Sequence, residues 1–150
     1  MTIEEVVAPV MLPVACGFAV AATVLLVWHV ARRYAVAPKR VPLHIGYDGR
    51  PGRFAPKALL WLAPAIVVAV VALLVVVVTA VEPPRSDQRA LVATVFVIMA
   101  EAAWLVAWMT DRQIELARKI TYRIAPGRLF RALFPILATT VIVIVMAIHP

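Results

Sequence analysis

Charge is what this sequence has least of. Asp, Glu, Lys and Arg together make up 15% of its 150 residues, while 64% are hydrophobic. A water-soluble domain is nearer about a quarter charged and about half apolar, so composition alone excludes an aqueous globular class. Cysteine is almost missing too. The single Cys16 sits in an apolar stretch, so no intramolecular disulfide can form. Lysine is scarce while arginine, alanine and valine dominate, a bias of GC-rich bacterial genomes. There is no serine or cysteine nucleophile motif and no phosphate-cradling glycine loop. His29, His44 and His149 are too far apart for a metal cluster. Residues 1–9 are short and acidic, with Glu4 and Glu5, whereas a cleaved secretory leader starts basic. For the same reason Pro13-Val14-Ala15-Cys16 is a poor lipoprotein site.

What the sequence does have is four long apolar runs. The first, residues 10–30, would cover about 30 Å as a helix, the thickness of a hydrocarbon core. The second, 58–81, holds a stretch from Ile66 to Val78 made only of Val, Ala, Leu and Ile. In water so many β-branched residues argue for a strand. In lipid a lone strand leaves its backbone unpaired and a helix does not. Pro64 falls in the first two turns of this run, where proline is tolerated, and Glu82-Pro83-Pro84 ends it. The third run, 90–110, follows a Ser86-Asp87 capping signal. The fourth, 129–148, closes on His149-Pro150. The expected fold is all-α, an integral membrane protein of four transmembrane helices forming one domain. Beyond the third run, within a basic segment 111–128, residues 111–124 keep helical character until Ala125-Pro126-Gly127: Ile114, Ala117, Ile120 and Ile124 fall near one face, and Glu115 can pair with Lys119. They read as a basic helix or loop that leaves the membrane or bends along its surface.

The cations orient these spans. Thirteen of the fifteen Lys and Arg residues lie in the first loop (31–57) or between Arg112 and Arg131; only Arg85 and Arg89 lie in the second loop. Four crossings put the first and third loops on one side. The positive-inside rule makes that side cytoplasmic and leaves both termini outside. Trp28, His29, Arg32, Arg33 and Tyr34 mark the interface. Attraction to anionic headgroups, about 1 kcal/mol per cation near the surface, accounts for the basic loops without nucleic acid.

The first loop is also where the chain is rich in proline and glycine, so it is no helix. Asp48-Gly49 is a turn signal, with His44, Ile45 and Tyr47 leading in and Arg53 and Phe54 leading out. Its pattern of Pro42, His44, Gly49, Pro51, Phe54 and Lys57, with Pro64 in the next helix, resembles a bacterial membrane domain. That domain is the uncharacterised one at the N-terminus of the immunity proteins for a secreted sporulation-delaying toxin. The similarity covers about residues 36–66, and Gly52 stands where that family usually has an acid. The resemblance implies an immunity or regulatory role. In that family the loop is usually drawn on the outer face, whereas the charges here put it inside.

Glu101 is the one acid within a span, about 11 residues from either end of the third run. An ionised carboxylate there costs about 2.5 to 3.5 kcal/mol on insertion scales, so Glu101 is expected to be neutral or paired inside the bundle. Thr94, Glu101 and Trp108 recur every seven residues on one face, and Thr139 and Thr140 come to similar depth. Glu101 can therefore fix packing through an interhelical hydrogen bond, serve as a proton or ligand site, or contact another subunit. Ala100, Ala103 and Ala107 on the same helix permit close approach of a neighbour. His29 is either an interfacial histidine or an axial ligand to haem or chlorophyll; His44 reads as a loop-stabilising residue. No cofactor and no metal are expected as the main reading.

The sequence thus points to a non-enzymatic protein of a bacterial plasma membrane, an accessory subunit or an immunity or regulatory protein. Its partners would be anionic headgroups at the cytoplasmic face and other membrane subunits. The alternatives are a small proton-linked carrier using Glu101, or a haem- or pigment-binding subunit using His29.

Overall fold

A computed structural model describes residues 3–46, 48–80, 86–118 and 125–148. The expected readings that fall on Tyr47, Glu82-Pro83-Pro84, Lys119 to Ile124 and His149 lie outside these residues, as do the side chains of Ser86 and Asp87. The described chain is helical apart from one short hairpin. It consists of α1 (Ile3–Val36), strands β1 (Arg40–Pro42) and β2 (Phe54–Pro56), a 3-10 turn (Lys57–Trp61), α2 (Leu62–Ala80), α3 (Ser86–Ala117) and α4 (Pro126–Ile148).

Three helical stretches, Val10–Val36, Lys57–Ala80 and Gln88–Ala117, are long and apolar enough to cross a membrane. Only 22%, 17% and 22% of their apolar windows are buried within the bundle, so most of that surface faces outward, as lipid-facing surface would. Phe18, Val24, Leu73 and Ile142 are each more than half exposed; in water such contiguous apolar area would drive association. In α4 the apolar stretch found among described residues is Phe130–Ile142.

The helix limits differ from the expected ones for physical reasons. The first helix does not stop at residue 30 but runs to Val36, so residues 31–36 are helix and not loop. Straight-chain arginines are good helix formers once the span has nucleated the helix. Pro38 is what stops it, because a proline pushes the residue before it out of helical geometry. The third helix likewise continues unbroken through residues 111–117, with the helical character expected there. At 34 and 32 residues, α1 and α3 would be about 50 Å long, more than the thickness of a hydrocarbon core, and their charged last turns lie at the same end. The second helix proper begins at Leu62, with Lys57–Trp61 as its 3-10 lead-in. Pro64, at its third position, has no intrahelical acceptor to lose and is fully buried. Pro126 opens α4, the position proline favours.

The helices pack through small residues. Ala15 and Ala19 of α1 meet Ala93, Phe96 and Ala100 of α3; farther along, Leu26 and Val30 meet Val67 and Val71 of α2 and Ala103 of α3. Alanines at the α1–α3 seam let the two backbones come close, and Ala100 and Ala103 are buried as the sequence suggested, with Ala107 packed beside them. A third cluster, Ala37, Val41, Leu60 and Ile114, joins the hairpin to the ends of α1 and α3.

Candidate functional site

The hairpin between α1 and α2 is built by the residues that make up the loop motif. Its strands run antiparallel with Arg40 opposite Pro56, Val41 opposite Ala55 and Pro42 opposite Phe54. Pro42 and Pro51 can sit here because a two-stranded ribbon is all edge. Beyond the strands, Leu43 N donates to Arg53 O at 2.8 Å, Gly52 N to His44 O at 2.9 Å and Gly46 N to Arg50 O at 2.8 Å. Pro51 bridges Ile45. At the tip Gly49 takes φ 77°, the left-handed geometry the Asp48-Gly49 pair suggested. The Asp48 carboxylate accepts from Arg50 N at 3.1 Å.

His44 works through contact. Its ring lies so close over Gly52 that a Cβ there would come within 2.4 Å of Cε1 and Nε2. This is a physical reason for glycine, and against the acid that the resembled domain usually carries at that place. Lys57 donates to Tyr34 O at 3.3 Å while its ammonium lies 4.4 Å from the centre of the Tyr34 ring. Gln113 donates to Leu43 O at 3.2 Å, and Arg118 donates to Val36 O. The hairpin is thus tied to the protruding ends of α1 and α3 and presents Lys39, Arg40, Arg50 and Arg53 outward.

Under the hairpin lies a cluster that the sequence did not suggest. Asp111 Oδ1 accepts from Arg33 Nε at 2.5 Å and lies 3.1 Å from His29 Nε2. His29 and Arg33 are four apart on α1 and so share a face. That spacing opposite a lone acid was the available signal, but 82 residues separate His29 from Asp111. The nitrogen that an axial ligand would offer to haem or chlorophyll is the one facing Asp111. Glu115 accepts from Arg112 at 2.5 Å; its expected partner Lys119 lies outside the described residues.

Glu101 sits fifteen residues after Ser86 and sixteen before Ala117, at the middle of α3. Thr139 Oγ1 of α4 donates to its Oε1 at 2.7 Å. The other two threonines do not join it. Thr94, half-buried, and Thr140, exposed, donate to Ala90 O and Ile136 O of their own helices, at 2.8 and 2.7 Å. A short hydroxyl side chain on a helix finds its own i−4 carbonyl more readily than a neighbour. Glu101 Oε2 is buried and has no partner among the described residues.

This carboxylate borders a groove of about 500 Å³ between α1 and α3. Alanines 21, 22, 100, 103 and 107 line it, together with Phe18, Leu25, Leu26, Trp28 and Trp104, and His29 also borders it. The structure therefore brings Glu101 and His29 to one cavity, although the sequence treated them as separate candidates. A second cavity of about 320 Å³, walled by β1, α2 and the end of α3, is nearly all apolar.

No family model, no curated protein and no solved structure matches this chain.

Proposed function

We propose that the chain is a non-enzymatic interaction protein of a bacterial plasma membrane, an accessory or regulatory subunit whose hairpin docks a partner. It would cross the membrane four times with both termini outside, α4 being the fourth span, and its hairpin in the cytoplasm. The observation that carries this reading is the clamping of the hairpin. Gln113 of α3 donates to Leu43 O of the hairpin and Lys57 at its exit donates to Tyr34 O of α1, while Arg118 and Arg33 join α3 to α1 beside it. A loop with no function beyond connection would need no such support, whereas a recognition surface gains affinity from being ordered before it binds. The resemblance over residues 36–66 points the same way, toward an immunity or regulatory role.

The test is site-specific photocrosslinking from Arg53 in intact membranes, with Phe18 on the lipid face as the control position. One recurrent membrane polypeptide captured from Arg53, lost in R50E/R40E, is the expected outcome. Capture of lipid alone from both positions would refute the reading.

A second reading, a small proton-linked carrier, draws on one specific observation: the unpartnered Oε2 of Glu101 at the edge of a groove. Four helices are few for a pathway, so such a carrier would work as an oligomer. Flux in reconstituted vesicles that disappears in E101Q is its test.

A further inference from the structure

We propose that the groove between α1 and α3 binds a lipophilic organic cation, a quaternary or protonated amine or a phosphonium on an apolar body, with Glu101 as its counter-ion. The inference uses the site of the carrier reading but not transport, so binding without flux would remove the carrier and leave the inference standing.

The argument begins with the contrast between two acids ten residues apart on α3. Asp111 receives the guanidinium of α1: Arg33 donates to it at 2.5 Å, and His29 Nε2 lies 3.1 Å from it. Glu101 receives a neutral hydroxyl on one oxygen and nothing on the other. Nor does the sequence place a cation within reach. On α3 the nearest are Arg89 and Arg112, twelve and eleven residues away, or about 16 to 18 Å along the helix. There is no Lys or Arg on α1 before Arg32 and none on α2, and His29, which borders the groove, turns its Nε2 to Asp111. On α4 the nearest is Arg131, eight residues and about 12 Å from Thr139. An acid with a buried oxygen and no Lys or Arg partner among the described residues is costly, and a bound cation removes that cost.

The shape and lining of the cavity select the rest of the ligand. At about 500 Å³ it falls within the size range of small-molecule sites. It exists because alanines occupy both facing helices where larger side chains would have filled it. Trp104 stands one turn from Glu101 on the same face of α3 and is half exposed. A cation held by Glu101 would lie within range of that ring, and tryptophan is the aromatic that best stabilises a cation. Trp28 is less available, because the Arg32 guanidinium already lies 4.7 Å from its ring centre. An apolar acyl chain would use the alanine walls but not the carboxylate, and a compact hydrated cation would use the carboxylate but not the walls. A lipophilic cation uses both.

The probe is tetraphenylphosphonium, titrated into the full-length protein in lipid nanodiscs and followed by tryptophan quenching and equilibrium dialysis. Saturable binding with one site per chain is expected. E101Q, which keeps the shape and the Thr139 bond, should weaken it by roughly tenfold or more, as loss of a desolvated charge partner does. A21F, which fills the groove from α1 and leaves the acid in place, should weaken it comparably; it serves as the second variant if E101Q does not fold. Triphenylmethanol, uncharged and of similar bulk, should bind no more tightly to the native protein than to E101Q. Equal phosphonium affinity in native and E101Q protein, or native protein that binds triphenylmethanol as tightly as it binds the phosphonium, would overturn the proposal and leave a lipid crevice. Absence of saturable binding would overturn it as well.

Discussion

Arg33 Nε donates to Asp111 Oδ1 across 2.5 Å and so ties the last turns of α1 to the last turns of α3. The two residues are 78 apart in sequence, and side-chain exposures of 37% and 27% put them at the boundary between core and surroundings. Removing Asp111 leaves Arg33 and His29 facing each other with no acid between them. D111N should lower stability by about 1 to 2 kcal/mol, the range for a hydrogen bond to a charged group reduced by partial exposure. R33A/D111N should cost less than the sum of the single changes. Thermal unfolding in one detergent, read by helical circular dichroism, checks both; additive losses would mean the pair contributes nothing of its own.

Gly52 leaves room for the ring above it. G52A should destabilise the hairpin by about 1 kcal/mol, because the His44 ring must swing away from a Cβ that would otherwise lie 2.4 Å from it. His44 is exposed, so the ring has room to move and the cost stays small. H44A/G52A should recover hydrogen-exchange protection at Leu43 and Gly46, whose amides donate across the hairpin. If the double variant is no better than G52A, the close approach of ring and glycine is not what selects glycine.

Glu101 and Thr139 should respond in opposite directions. T139V takes away the only described partner of Oε1 and should destabilise the bundle by about 1 kcal/mol. E101L removes an oxygen that is buried and unpaired, and should raise the unfolding midpoint although it deletes an interhelical hydrogen bond. A fall in the midpoint of E101L would mean that packing of the carboxylate outweighs its desolvation.

The side of the membrane on which the hairpin lies is open to direct test. With Cys16 replaced by alanine, R50C should react with a membrane-impermeant maleimide in inside-out vesicles and not in intact cells. Arg50 is exposed at the hairpin tip, so accessibility on its own side is not in doubt. Labelling in intact cells would reverse the proposed orientation and favour the outer-face arrangement of the resembled domain.

The sequence by itself determined what each segment is; which segments meet was left to the tertiary structure. Long runs of Val, Ala, Leu and Ile made helices legible within 10–30, 62–80 and 90–110, because where water is absent an apolar segment of that length satisfies its own backbone only as a helix. Pro42, Asp48-Gly49 and Pro51 made a hairpin tip legible, since proline and positive-φ glycine act within a few residues. The alanines of α3 announced a close helix contact. Helix ends were less legible: residues 31–36 carry charges that suggest a loop, yet continue a helix whose nucleation is already complete. Partnerships were least legible. Thr94, Thr139 and Thr140 look equivalent in the sequence, and only the rotation of α4 against α3 selects Thr139. His29 and Asp111 are 82 residues apart, and the groove that joins His29 to Glu101 belongs to neither helix alone. Such relations depend on the angle and register at which packed helices cross, and these are set by the summed fit of many small side chains and not by any local residue pattern.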